Sequence, residues 1–326
     1  MKKVPVAFIC DSHYIIATVV AVTSLICNMN KDTYYDIYIV AVELSKREMD
    51  QFYKFRGSNT DVHIIKASLE KFEGLQKHGY ITSAAYLKFY LPDLIPRQKK
   101  VLYLDGDVII QKDLSGLFEI DIKDYYAGAV KDVPLIDNHL NIKNYFNSGV
   151  MLLNLDLMRK NNTPAALLNI EKSSNKLQNM DQDSFNIIFD KKVKLLPVIY
   201  NCFYEFYLQQ KGKYTLEYIN ECFETNYSSF NHIKKDSCII HMVGNYKPWI
   251  YFDTVLAQEW DKYFKKSPLK NCKLKRKSMK LREFILLHKF TYLSYYFFKY
   301  WCDKGFKFAI YKMRNILFNN RLNTQG

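Results

Sequence analysis

Two aspartates separated by one glycine, Asp105-Gly106-Asp107, end an apolar run of four residues that begins at Val101. Carboxylate oxygens at this spacing suit a hard cation, because alternation of side chains relaxes in a turn and both groups can converge on one ion. Gly106 lets the backbone turn sharply and leaves room for a ligand to approach. Asp-Gly is also a common turn pair with no chemistry, so other residues must decide. The first apolar run ends at Asp11-Ser12-His13-Tyr14, where Asp11 or Ser12 could simply cap a helix. Asp181-Gln182-Asp183 opens a helical run, and the helix dipole explains either acid but not the glutamine between them. His241 follows another apolar run, with Gly244 and Lys247 close behind it. Gly244 can offer backbone N–H groups to an anion, and Lys247 a point charge. Phe146-Asn147-Ser148-Gly149-Val150 brings small polar residues into a buried strand, a pattern that marks a close backbone approach or a ligand.

These residues need a scaffold that gathers strand ends. Apolar runs at 4–10, 35–42 and 61–66 read as strands, with a helix at 14–28 and another opened by the capping box Ser45-x-x-Glu48 and running to about 55. Strand and helix alternating at this spacing begin a doubly wound parallel sheet, in which ligands sit beyond the carboxyl ends of strands. The pattern predicts a helix over 82–91, stopped by Pro92, with Tyr86 and Phe89 on its buried face and Lys88 facing elsewhere, ordinarily toward solvent. Further strands are predicted at 101–104, 126–130, 146–154, 193–199 and 238–240, the fourth leading to Tyr200-Asn201. Residues 134–145 read as a loop shaping a substrate site, and 203–237 as aromatic and polar without a strand pattern.

The chain has 326 residues, 48% hydrophobic and 25% charged, which describes a globular protein with one large core. Its net charge of +14 lies in the last 62 residues: from Lys265 onward there are sixteen Lys and Arg against Glu283 and Asp303, while residues 1–264 carry 31 charges of each sign. An enzyme acting on nucleic acid would spread its basic residues over the body, so the asymmetry points to a localised anionic partner and away from nucleic acid. The seven cysteines (Cys10, Cys27, Cys202, Cys222, Cys238, Cys272, Cys302) are scattered without a Cys-x-x-Cys, which predicts reduced thiols in the cytosol and no cysteine zinc site. Lys2-Lys3 before apolar residues has the look of a signal peptide, but Pro5 and Asp11-Ser12-His13 break the run.

Taken in order, strand-Asp-x-Asp, Phe-Asn-x-Gly-Val, Asp-Gln-Asp and His-x-x-Gly-x-x-Lys-Pro-Trp resemble glycosyltransferase family 8 over about residues 4–260. Bacterial members of that family build lipopolysaccharide and other surface glycans, and include lipooligosaccharide galactosyltransferases. The resemblance implies an α/β fold of the GT-A (nucleotide-diphospho-sugar transferase) type, a Rossmann-like mixed sheet flanked by helices. It implies transfer of galactose or glucose from UDP-galactose or UDP-glucose to an acceptor hydroxyl with retention of configuration. By the same resemblance Asp105, Asp107 and His241 hold Mn²⁺, or Mg²⁺ in its place, which agrees with two carboxylates and an imidazole without thiolate. Gly106, Gly244 and Lys247 would lie against the diphosphate. Asp11 would bind the uracil, beside His13 and with Tyr14 placed to stack on the base. Lys88 stands where the family commonly has arginine and lacks the bidentate fork. Asp132, Asn147, Ser148 and Asp181 match positions that hold sugar hydroxyls, and Gln182 the residue near the anomeric carbon. A glutamine is a poor nucleophile, so the expected route is departure and attack on one face.

Residues 1–264 are thus expected to form the catalytic domain and 265–326 a basic, aromatic, helical tail. Its longest uncharged run, residues 290–298, is nine residues, too short to cross a membrane. Tyr, Phe and Trp beside Lys and Arg suit an anionic headgroup layer, which would place the protein peripherally on the inner face of the cell membrane, beside a lipid-linked saccharide acceptor. Two other readings are a nucleotidyltransferase of similar fold and a non-catalytic, membrane-bound sugar-nucleotide-binding protein. The first usually has a glycine-rich basic signature after its first strand, which Asp11-Ser12-His13-Tyr14 is not. Against the second stands the conjunction of both acids, His241 and Lys247.

Overall fold

The computed structural model describes residues 1–72, 75, 83–133, 138–174, 177–209, 214–279 and 310. Nine strands are present among them: β1 (Lys2–Cys10), β2 (Thr33–Val42), β3 (Thr60–Ala67), β4 (Lys100–Leu104), β5 (Val108–Ile110), β6 (Ala127–Lys131), β7 (Phe146–Asn154), β8 (Val193–Leu195) and β9 (Ile239–His241). Seven form one sheet in the order β3-β2-β1-β4-β7-β6-β8, and β5 pairs with β9 in a separate two-stranded sheet. Within the larger sheet β7 runs antiparallel to both of its neighbours and the other pairs are parallel, while β5 and β9 are antiparallel.

Interior parallel strands are covered on both faces and so read as unbroken apolar runs. In β1, Val4, Val6, Phe8 and Cys10 enter one core layer with Val19 and Leu25 of the helix Ile15–Cys27. The alternate residues Ala7 and Ile9 enter the opposite layer with Tyr86, Phe89 and Phe185. The helix Ile15–Cys27 is apolar nearly all round because it is enclosed: its Val20 joins a third cluster with Ile109 of β5 and Trp260 of the helix Ala257–Phe264. The capping box is formed as expected, with the Ser45 hydroxyl accepting from Glu48 N–H and the Glu48 carboxylate accepting from Ser45 N–H, and its helix spans Lys46–Tyr53.

Several elements depart from the sequence pattern. The helix expected over 82–91 is, from Ser83 onward, not one α-helix ended by proline. Ser83–Tyr90 is a 3₁₀ run that passes into a one-turn α-helix, Leu91–Leu94, with Pro92 in its first turn, where a missing N–H costs nothing. Three residues per turn superpose positions three apart, so Tyr86 and Phe89 do share the core face while Ala85 and Lys88 share the cavity face. Residues 193–199 do not form one strand: β8 stops at Leu195, Pro197 breaks the extension and Val198–Tyr200 is a 3₁₀ turn. Within 203–237 lie the helices Tyr204–Gln209, Leu216–Phe223 and Phe230–Asp236, the latter two capped by Thr215 and Ser229. The loop reading of 134–145 holds for 138–145, and residues 134–137 lie outside the described residues.

Of the expected tail, residues 265–279 and 310 are described, and 265–279 run along the body. Leu269 packs on the core, Met279 is buried, and Lys277 exchanges backbone hydrogen bonds with Ile250 and Phe252. Arg276 stacks on Trp260 and pairs with Asp261. The expected helical tail and its aromatic-basic stretch otherwise fall outside the described residues.

Candidate active site

The carboxyl ends of β1 and β4, the start of β7 and the helix Met180–Ile188 surround a cavity of about 400 Å³, in the size range of small-molecule sites. At its floor β4 is prolonged by a hydrogen bond from Asp105 N–H to the Gly149 carbonyl of β7, at 2.7 Å. β5 pairs with β9, and Met242 N–H donates to the Asp107 carbonyl, which sets His241 beside the acids. Oxygens of Asp105 and Asp107 and a ring nitrogen of His241 lie within 4.8 Å of one another. His241 Nε2 is 3.2 Å from Asp107 Oδ1 and 4.0 Å from Asp105 Oδ2. Two hard oxygens and one imidazole nitrogen form a donor set suited to a divalent cation.

Glycines make this convergence sterically feasible. A Cβ on Gly149 would stand 2.3 Å from His241 Cε1 and 2.7 Å from Asp105 Oδ2, so only glycine lets β7 pass behind both ligands. A Cβ on Gly106 would stand 2.4 Å from the Thr18 hydroxyl, which is held by the Tyr14 carbonyl. Gly106 therefore accommodates the first helix as well as the cavity it lines.

The carboxylates are matched by cations. Lys88 is buried, 2.9 Å from Asp181 Oδ2 and 3.3 Å from Asp105 Oδ1, and does not face solvent as the helix pattern suggested. Burial alone would lower its pKa, but Asp105 and Asp181 outweigh burial and raise it, so the ammonium stays charged. Lys247 is buried behind Asp107, 2.5 Å from Oδ2, and also donates to the Met242 carbonyl. It is not among the residues lining the cavity, and its first partner is the acid. Burial would raise the Asp107 pKa, but Lys247 and His241 hold it well below the usual carboxylate range. Tyr103 donates to Asp105 Oδ1 at 2.6 Å, a contact the sequence did not signal.

The opposite wall is a network of amides and acids. Asn147 Nδ2 donates to Asp132 Oδ2 (3.2 Å) and Gln182 Oε1 (3.0 Å), Gln182 Nε2 donates to Asp132 Oδ2 (3.0 Å), and Ser148 N–H donates to Gln182 Oε1 (3.1 Å). The Ser148 hydroxyl donates to Asp181 Oδ2 at 2.9 Å. Asp183 is wholly buried and turned away: it accepts from the backbone N–H groups of Gln178 and Asn179 and from the Tyr145 hydroxyl. It braces a turn in which Met180 holds a left-handed φ of 46°, a strained conformation for a non-glycine residue that lines the cavity. The three residues of Asp-Gln-Asp thus divide into two that face the cavity and one that fixes them.

Asp11 and Tyr14 line the mouth, and Asp11 Oδ1 accepts from the backbone N–H groups of His13 and Tyr14, both at 3.0 Å. Tyr14 packs edge-on against Trp249. His13 is exposed and outside the lining. Gly244 lines the mouth with φ of +87°, where an L-residue would be strained. The candidate donor-binding and metal-binding residues named from the sequence line the cavity, except His13 and Lys247, while Asp183 is turned away. Tyr103 lines it as well, and Asn201 lies behind the lining, hydrogen-bonded to Asn147 and His241.

The sequence model of glycosyl transferase family 8 matches residues 5–253. General stress protein A of Bacillus subtilis is 27% identical over 241 residues, 69% of this chain and 80% of that protein. The lipopolysaccharide 1,2-glucosyltransferase of Escherichia coli is 26% identical over 255 residues, 73% of this chain and 71% of that protein. Among solved structures, the galactosyltransferase LgtC in complex with donor and acceptor sugar analogs is similar with a TM-score of 0.69 and 22% identity, over 81% of this chain and 96% of that one. The fold is of the GT-A type.

Behind the Asp181 wall, Glu171 accepts from the Ser184 hydroxyl at 2.7 Å. Burial lifts its pKa to about 7, against hydrogen bonds from Ser184 and Tyr86 and with the help of Asp181 and Asp183. The folded state then holds a proton that an unfolded glutamate, with an ordinary value of 4.5, releases. The resulting stability is fully present below about pH 4.5 and lost as pH rises to about 7. The urea midpoint of Glu171→Gln should accordingly vary less across this window than that of the wild type. A steeper decline in the variant would refute the assignment.

Proposed function

Because the chain belongs to glycosyl transferase family 8, and is thus a glycosyltransferase, we propose that it moves galactose or glucose from a UDP-sugar to a hydroxyl of a lipid-linked cell-surface saccharide, with retention of configuration. The observation that carries this reading is the convergence of Asp105, Asp107 and His241 at the floor of the cavity. The relative named for lipopolysaccharide glucosylation supports the acceptor class. Asp105, Asp107 and His241 would hold the cation, Mn²⁺ with Mg²⁺ as the alternative hard ion. Bound there, it would supply Lewis-acid stabilisation of the charge growing on the leaving UDP. Lys247, seated on Asp107, keeps that carboxylate ionised, and the backbone of Gly244, which lines the cavity, would face the diphosphate. Asp11 and Tyr14 would receive the uridine, while Asp132, Asn147, Ser148 and Asp181 would position the hexose. Lys88 holds Asp181 and Asp105 in place from beneath.

Gln182 would lie near the anomeric carbon. Its amide oxygen already accepts from Ser148 N–H and Asn147 Nδ2, so its lone pairs are engaged within the protein. That engagement favours departure and attack on one face of the sugar over double displacement through an enzyme nucleophile. UDP release from UDP-galactose or UDP-glucose with Mn²⁺ should be seen in the wild type, removed by chelation, and lost with metal-dependent donor binding in Asp105→Asn. A wild type inert toward the whole UDP-hexose panel, or Asp105→Asn fully active at low Mn²⁺, refutes the reading. Intact-mass measurement should find no hexosyl adduct on wild type or on Gln182→Glu, and Gln182→Ala should keep residual turnover. A trapped adduct on Gln182→Glu together with an inactive Gln182→Ala would replace the one-face route with a covalent one.

The basic C-terminal region, 265–326, is proposed to meet an anionic membrane surface at the inner face of the cell membrane. Support comes from its charge and from exposed Ile250 and Phe252, which flank the basic segment around Lys277. Among the described residues no helix is long and apolar enough to cross a membrane. Each Lys or Arg near such a surface contributes on the order of 1 kcal/mol. Deleting 280–326, which leaves the packed segment 265–279 in place, should weaken flotation with anionic liposomes, and the loss should shrink in high salt. Equal flotation by both chains, or none by either, would refute this assignment.

A further inference from the structure

The side-chain amides around the cavity orient one another, and the order starts from groups whose roles are chemically fixed. The Gly149 backbone N–H can only donate, and it donates to Asn147 Oδ1 at 3.0 Å. The Asp132 carboxylate accepts from Asn147 Nδ2 at 3.2 Å. Asn147 is therefore oriented at both ends, with Oδ1 as acceptor. Asn201 meets that oxygen through Nδ2 at 3.0 Å. The other end of the Asn201 amide is then the carbonyl oxygen, and it lies 3.0 Å from Nδ1 of His241. A carbonyl oxygen cannot donate, so the proton between them belongs to Nδ1. In the neutral imidazole the lone pair is then on Nε2, the atom directed at Asp107 and Asp105.

Asn201 has the burial and backbone support that such a task requires. It is wholly buried, follows the 3₁₀ turn Val198–Tyr200 and hydrogen-bonds back to the Val198 carbonyl. The next residue, Cys202, bridges to β9 and accepts from His241 N–H through its carbonyl, so one short segment holds both backbone and ring of the histidine.

We propose that Asn201 is a positioning residue that locks His241 in the Nδ1–H tautomer, presents Nε2 to a divalent cation, and ties that ring through Asn147 to the sugar half of the cavity. The proposal rests on the reading of Asp105, Asp107 and His241 as a cation site. Metal-bound imidazoles commonly donate their second N–H to a carbonyl or carboxylate, and loss of that partner weakens metal binding about 10- to 100-fold.

Two measurements test it. In the metal-free wild type, the ring ¹⁵N shifts of His241, assigned by their loss in His241→Gln, should show a protonated Nδ1. A proton on Nε2 alone overturns the proposal. Mn²⁺ affinity, read from the EPR signal of the free ion, should fall about 10- to 100-fold in Asn201→Leu, which removes the acceptor. Asn201→Asp keeps an acceptor for Nδ1–H but loses the donor to Asn147, so it should recover most of the Mn²⁺ affinity while the donor-sugar KM stays raised in both variants. Unchanged affinity in Asn201→Leu, or equal loss in both variants, overturns the proposal. If the wild type binds no Mn²⁺, the cation-site reading fails instead, and the ring shifts still decide the Asn201 contact. If Asn201→Leu does not fold, the ring shifts and Asn201→Asp decide.

Discussion

Carboxylates packed around one buried cavity repel one another, and two such charges 4 Å apart do so by about 4 kcal/mol at an effective dielectric of 20. Asp105, Asp107, Asp132, Asp181 and Asp183 are held in this way, all but Asp105 nearly out of reach of water. Each is answered by a fixed donor. Lys88 spans Asp105 and Asp181, Lys247 holds Asp107, two amides serve Asp132, and backbone N–H groups with a tyrosine serve Asp183. Removing one donor would leave a buried charge uncompensated, a larger loss than the net worth of the pair. The donor set for a divalent cation converges at the floor of the cavity, where Asp105 is the most exposed of the five acids.

The fold serves this balance by bringing distant segments to one place. β1 and β4 run parallel and deliver Asp11 and Asp105 at the same edge of the sheet. The reversed strand β7 begins where β4 ends, so Asn147, Ser148 and Gly149 arrive beside Asp105 and not at the far edge. The small sheet of β5 and β9 brings His241 across from 134 residues away to Asp107. Short side chains at the crossing are a steric demand: Gly149 leaves the only clearance for the His241 ring and the Asp105 carboxylate.

Much of this was legible in the chain. Strands covered on both faces must be apolar on both, so β1, β2, β4 and β7 stood out as runs, and the polar residues at their ends stood out against them. Family membership followed from four short motifs in order, and the GT-A sheet agrees with it. Local geometry was less legible. The 3₁₀ run Ser83–Tyr90 carries the same residues as an α-helix would, and the face opposite its core residues, which bears Lys88, meets the cavity and not solvent. Residues 203–237 carry helices whose aromatic content serves a satellite core, which hides the usual amphipathic rhythm.

The chain by itself determined which chemistry was available: paired acids after a strand, an imidazole after another, a glutamine in place of a nucleophilic carboxylate, and a basic end. These are properties of residue type and local order, and they do not depend on how the chain packs. Tertiary structure alone decided how the groups are used. Lys247 sits on Asp107 instead of lining the cavity, Asp183 is a brace while its neighbours face inward, and the Gln182 oxygen is engaged by two donors. Asn201 has no sequence signal at all, because an asparagine's role depends on which end of its amide meets which partner. That orientation is set by Gly149, Asp132 and Asn147, residues 52 to 69 positions upstream that meet it only once the chain has folded.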